Sequence, residues 1–244
     1  MSYSAHFANE HEAERYDTDQ YAPSAYATLL WEIEQQQLDE VLGTMAPRQF
    51  DHLDFACGTG RVLQHVVPQA ASSTAIDVSE AMAARARARV PSATVITRDI
   101  TRGGEIEGSY DVVTAFRFIL NAEPQLREAG LNALAARLRN SSSILIFNNH
   151  GHLLSHKALL AVPHWIRRRG ARRQSGNLMT HRKVVVTARQ SGLQVQRVAG
   201  CGVLGGRLAK MIPRSAAVRI ERWAARSPLS WFGSNQLYVA RRES

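Results

Sequence analysis

Apolar side chains along this chain come in two rhythms. Short runs at Phe50 to Ala56, Ser73 to Val78, Ala93 to Arg98, Tyr110 to Phe116 and Ile144 to Asn148 have the length of buried strands. Between them lie stretches with helical spacing. One runs from Arg61 to Val67 and stops at Pro68. A second follows Ser79, a suitable N-cap, and carries Met82 and the Arg85, Arg87, Arg89 series to Pro91. A third opens at Pro124 and repeats Leu131, Leu134 and Leu138 until Asn140 and three serines break it. This alternation predicts an α/β domain with a parallel sheet and helices on both faces.

The flanks differ. Residues Phe7 to Leu42 read as helical, with Trp31, Ile33, Leu38 and Leu42 as core contacts and with Tyr16, Tyr21 and Tyr26 near a break at Pro23. Beyond residue 150 the pattern loosens into a polar, Arg-rich stretch containing Arg167 to Arg169, Arg172 and Arg173. Thr180 suits the cap of a helix to Ser191, which Gly192 ends. Two further strands, about Leu193 to Ala199 and Gln236 to Arg241, stand roughly 36 residues apart, far beyond a hairpin loop of about 2–5 residues. We expect an insertion there, with its own helix near Ser215 to Arg226.

The first strand runs into Asp54-Phe-Ala56-Cys-Gly58-Thr-Gly60, and the second ends at Asp77. A strand, a Gly-rich turn, a helix start and a carboxylate-tipped second strand hold adenosine cofactors in doubly wound sheets. Dinucleotide enzymes place a third glycine where this chain has Leu63. Asp54 also puts a carboxylate inside the motif, able to answer an amino group directly or through water. Gly58 and Gly60 let the backbone approach a ligand. The motif therefore resembles motif I of the class I S-adenosylmethionine (SAM)-dependent methyltransferases.

That resemblance covers about Phe50 to Phe147 and implies a Rossmann-like seven-stranded sheet of order 3-2-1-4-5-7-6, the last strand antiparallel. It implies one domain over 1–244. Residues 1–45 would form a helical lid, 50–150 the SAM-binding core, and 151–180 and 200–235 basic insertions facing the acceptor. SAM would lie against Asp54, Ala56, Gly58 and Gly60. Asp77 would take the ribose hydroxyls, with Val78 beside the adenosine. Asp99 would accept from the adenine amino group and Ile100 would flank the ring. Phe116 and Arg117 end the fourth strand, where methyl group and substrate meet. They should face Asn148 to His152 across the cleft. There His150, and after it His152, are candidate bases with a suitable pKa range; His156, His164 and His181 are weaker ones. We expect no metal. The resemblance also offers a non-catalytic SAM-fold binding protein, which intact Asp54, Gly58, Gly60, Asp77 and Asp99 argue against.

Charge adds a second theme. Residues 1–149 carry 12 Lys+Arg against 19 Asp+Glu, and residues 150–244 carry 18 against 2. The second half should meet something anionic. The expected acceptor is a small molecule or glycan bearing phosphate or carboxylate, methylated on oxygen. RNA or DNA is the alternative, although Ala115-Phe-Arg-Phe118 lacks the motif of exocyclic-amine methylases. In Ser215 to Arg226, Ala216, Ile220 and Trp223 share one face and Arg219, Arg222 and Arg226 another. Peripheral membrane contact is one reading, but we expect the apolar face to pack on the body. Cys57 and Cys201 suit a reducing compartment. The opening residues show no secretory pattern, and a cytoplasmic location is expected.

Overall fold

A computed structural model describes residues 22, 24–102, 107–152, 155 and 178–243. Its sheet has seven strands: β1 (Asp51–Phe55), β2 (Ser72–Asp77), β3 (Thr94–Thr97), β4 (Val112–Ala115), β5 (Ile144–Asn149), β6 (Leu193–Cys201) and β7 (Asn235–Arg242). Their order is β3-β2-β1-β4-β5-β7-β6. The first five pair in parallel, and β7 is antiparallel to both neighbours. The chain therefore has the expected Rossmann-like sheet.

The helices are α1 (Tyr26–Met45), α2 (Arg61–Val66), α3 (Glu80–Arg89), α4 (Phe118–Asn121), α5 (Pro124–Arg137), α6 (His181–Gln190), α7 (Gly205–Ala209) and α8 (Arg214–Ala225). The predicted caps are in place. Ser79 Oγ accepts from Met82 N and Thr180 Oγ1 from Lys183 N, and Pro124 opens α5. Gly192, at φ 70°, follows α6 in the left-handed region. Pro68 lies in a short 3₁₀ turn that ends α2.

Strand alternation sorts side chains into two layers. Leu53, Phe55, Val113, Ala115, Leu145 and Phe147 pack against α4, α5 and α6. Val112, Phe116, Ile144 and Ile146 pack on the other face with Trp31, Leu38, Val41 and Leu42 of α1. His52, Asp54 and Thr114 fall on this second face. Both layers are closed, so polar groups inside them need partners.

One expectation fails at α8. The side turned to the body is Ala217, Glu221 and Ala224, while Ile220 and Trp223 are exposed. The physical reason is Glu221. Its carboxylate accepts from Gly202 N, Val203 N and Leu204 N at 2.8–3.1 Å and from Tyr26 Oη at 2.5 Å. Turning Trp223 inward would strip all four donors from a buried charge. Tyr16, Tyr21 and Pro23 of the expected lid, His156, His164 and the arginines at 167–173 lie outside the described residues.

Candidate active site

The carboxyl ends of β1, β2, β4 and β5 meet at one edge of the sheet. Asp54 sits there with 1% of its surface exposed. Thr114 Oγ1 donates to Asp54 Oδ1 at 2.7 Å, and Asp54 Oδ2 has no hydrogen-bond partner among the described residues. Burial pushes this carboxyl up to about 7, while Thr114 and the nearby Leu63 N–H pull the other way. A buried carboxylate oxygen left unanswered is costly. It fits a ligand that brings a cationic donor, as an ammonium group does.

Thr114 is itself oriented. It has one hydrogen, given to Asp54, so its oxygen accepts from His52 Nε2 at 2.9 Å. That assigns the His52 proton to Nε2 and leaves Nδ1 to accept from Ser73 Oγ at 3.4 Å. Burial lowers His52 to about 3, keeping the ring neutral.

After β1 the backbone takes three left-handed residues, Ala56 (φ 53°), Gly58 (φ 56°) and Gly60 (φ 79°). A Cβ on Gly58 would meet open space, so its glycine serves the conformation and the approach of a ligand. Asp77 closes the turn. Its Oδ2 accepts from Gly58 N at 2.8 Å and its Oδ1 from Ser79 N at 2.9 Å. Burial raises its pKa despite these bonds. Val78, beside it, is exposed. Asp99 Oδ1 accepts from both the backbone and hydroxyl of Thr101, and Ile100 is buried in the core.

At the end of β4, Phe116 packs edge-on against Trp31 with centroids 6.2 Å apart. Arg117 is left-handed (φ 59°), unusual for a side chain with a Cβ and a mark of functional turns. Its backbone N–H donates to Asn148 Oδ1 at 2.6 Å. Asn148 Nδ2 and Asn235 Nδ2 both donate to buried Glu34 Oε1. A hydrogen bond thus joins Arg117 to Asn148, and Glu34 of α1 is tied to Asn148.

The two candidate bases part company. His150 is partly exposed just beyond β5. His152 is buried, its N–H donates to Ser234 O, and neither ring nitrogen has a partner among the described residues. Burial, then the neighbouring His181, lowers its pKa. His181 in turn stacks on Tyr238 at 5.6 Å and meets Trp231 edge-on at 5.0 Å. No group of three or more His, Cys, Asp or Glu among the described residues is placed to hold a metal ion. Cys57 and Cys201 are both buried thiols.

A family model described as a methyltransferase domain matches residues 53–141. That segment is therefore similar to a methyltransferase domain, and the sheet around it has the Rossmann-like methyltransferase order. The sequence matches no curated protein. Several solved methyltransferases share the fold. One is a SAM-dependent methyltransferase from Clostridium acetobutylicum, 14% identical, TM-score 0.62, covering 95% of this chain and 98% of that one. Another is the N-methyltransferase NodS of Bradyrhizobium japonicum with S-adenosylhomocysteine, 13% identical, TM-score 0.61, covering 99% and 97%. A third is the magnesium protoporphyrin IX methyltransferase of Synechocystis with SAM, 14% identical, TM-score 0.59, covering 100% and 98%.

Around the matched segment four groups were not expected from the sequence: His52, Thr114, Trp31 as a site residue, and Arg61. Arg61 lies over the Trp31 ring at 4.2 Å and is close enough to Asp54 to favour its charge. A signal existed for His52. It stands two residues before Asp54 in a central strand, and a polar side chain there must find partners on the same face as Asp54. Thr114 gave no signal, because it reads as an ordinary strand residue.

Proposed function

We propose that this chain transfers a methyl group from SAM to an oxygen of a small-molecule or glycan acceptor that carries an anionic group. The observation that carries the cofactor half is Asp54 Oδ2, buried and without a hydrogen-bond partner among the described residues, beside a left-handed glycine turn. When bound, SAM supplies a methyl group already activated by a cationic sulfur. Asp54 would hold the ammonium end. The backbone at Ala56, Gly58 and Gly60 would let the ligand come close. Asp77 would accept from ribose hydroxyls with the lone pairs left beyond Gly58 and Ser79. Val78, Asp99, Ile100 and Phe116 would enclose the adenosine.

On the acceptor side, Arg117 stands at the end of β4 with its backbone fixed by Asn148. It would align the anionic group with the methyl carbon. His150, partly exposed, is the favoured base for a hydroxyl proton. His152 has too little surface to touch an acceptor in this form and would serve by position. The fold neighbours differ in acceptor by name, one an N-methyltransferase and another a magnesium protoporphyrin IX methyltransferase. Support for an anionic acceptor comes from the 18 Lys+Arg against 2 Asp+Glu after residue 149. Cys57 and Cys201, as buried thiols, fit a cytoplasmic setting.

The test has two stages. Calorimetry should show SAM binding that weakens roughly tenfold or more in Asp77→Ala, since hydrogen bonds to a carboxylate contribute about 1.5–3 kcal/mol. Unchanged affinity would remove Asp77 from the ribose. Paired acceptors differing only in a phosphate or carboxylate should then be methylated unequally, the anionic member faster, and His150→Ala should slow the reaction. Equal rates would overturn the anionic acceptor.

A further inference from the structure

Nine large apolar side chains stand exposed among the described residues, and seven lie between Leu208 and Phe232. This concentration is forced by the fold. Ala217, Glu221 and Ala224 share one side of α8 at helical spacing and face the body. Arg219, Trp223 and Arg226 repeat the same spacing two residues later, roughly 200° around the helix, and face outward. Trp223 is 64% exposed, and Met211, on the turn before α8, is 79% exposed. Trp231 and Phe232 follow the helix and are each about half exposed. The four donors on Glu221 lock α8 in this rotation, so the exposure belongs to the fold.

The charge of this surface has one sign. Six cations and one carboxylate lie between Cys201 and Asn235, and the carboxylate is Glu221, wholly inside. Arg214 is paired with Glu32. The others, among them Arg207, Lys210, Arg219, Arg222 and Arg226, are exposed. Aromatic rings, aliphatic chains and guanidinium groups interleaved on one helix and its flanking turns form the pattern of an interfacial helix. The rings and aliphatics enter the headgroup boundary, and the arginines meet phosphates.

We propose that the segment 207–232 docks the protein on an anionic lipid bilayer. A second copy of the chain fits poorly, because two cationic faces would oppose each other. Single-stranded nucleic acid fits the arginines and tryptophans, but Leu208, Met211, Ile220 and Leu229 offer nothing to bases or phosphates. This docking is independent of the methyl-transfer reading. The segment joins the ends of β6 and β7 and packs on α1, which carries Trp31 to the cofactor edge. A docked molecule would therefore keep the site edge near the lipid surface.

The test uses the full chain with mixed phosphatidylcholine–phosphatidylglycerol vesicles in a flotation assay. Binding is expected, with a blue shift of tryptophan fluorescence, loss at high salt and none to pure phosphatidylcholine. Trp223→Gln, at an exposed position, should weaken partitioning severalfold. Arg219→Gln with Arg226→Gln should weaken it by about tenfold or more, from roughly 1 kcal/mol per basic residue near an anionic surface. Thermal melts of both variants should match the parent. Absence of vesicle binding, equal binding to neutral vesicles, or binding unchanged in both variants would overturn the proposal. So would tight binding to a single-stranded RNA oligonucleotide without vesicle binding, or a dimer in light scattering that Trp223→Gln dissolves.

Discussion

Two buried carboxylates organise this molecule, and they are finished differently. Glu221, in the basic segment between β6 and β7, is saturated by three backbone N–H groups and a tyrosine hydroxyl. Asp54, at the carboxyl edge of the sheet, has one oxygen held by Thr114 and one with no hydrogen-bond partner among the described residues. Burial costs both, but only Glu221 is repaid within the fold. A saturated carboxylate is a structural clamp, whereas one with an open oxygen is kept for a ligand.

The contrast can be broken first at the clamp. Glu221→Ala should cost the most, about 3–5 kcal/mol in chemical denaturation, because four donors lose their partner inside the protein. Its folded fraction should still bind SAM with parent affinity. Asp54→Asn should behave in reverse. Cofactor affinity should fall by roughly ten- to a hundredfold, as expected for a lost charged hydrogen bond, while thermal stability holds or rises. If both variants lose stability alike, the distinction between clamp and site is wrong.

Smaller changes sharpen it. In Gly60→Ala the new Cβ would lie 3.0 Å from Ala86 Cα and Cβ, at a φ of 79°. A loss of about 1–2 kcal/mol is expected from the left-handed backbone alone. Thr114→Val takes a partner from the buried His52 N–H and from Asp54 Oδ1, a loss of about 1–3 kcal/mol, and its diagnostic effect is on pH. Without the hydroxyl, Asp54 loses a bond that favours its charged form, so the pH below which SAM affinity fades should move upward. A profile identical to the parent's would show that Thr114 does not tune Asp54.

The strands and caps were legible because buried parallel strands write continuous apolar runs, and the sheet order only through the family resemblance carried by the Asp54–Gly60 turn. The rotation of α8 was not. Periodicity groups Ala216, Ile220 and Trp223 as an apolar face, and nothing in a local pattern says that a glutamate will go inward. Only the distant Tyr26 and the N–H groups of 202–204 make that choice. The support behind Asp54 was hidden for the same reason. His52, Thr114 and Asp54 are joined by strand register, with Asp54 opposite Thr114 in the β1–β4 pair, and register is absent from the sequence. The C-terminal arginines at 167–173 and the candidate lid tyrosines fall outside the described residues.

The open oxygen of Asp54 makes a sign-specific claim about protons. With its pKa at about 7, above roughly 3.9 for an unfolded Asp, the folded chain keeps a proton that the unfolded chain has lost. Stability without cofactor should therefore be fullest below that window and fall as pH rises through it. Cofactor affinity should rise over the same range, because the ammonium end needs the charged carboxylate. The direct measurement is calorimetry of S-adenosylhomocysteine binding at pH 7, in buffers of different ionisation enthalpy, on the parent and on Asp54→Asn. The parent should release roughly half a proton more than the variant. Equal proton release, or equal affinity, would contradict the assignment of Asp54 as the seat of the methyl donor.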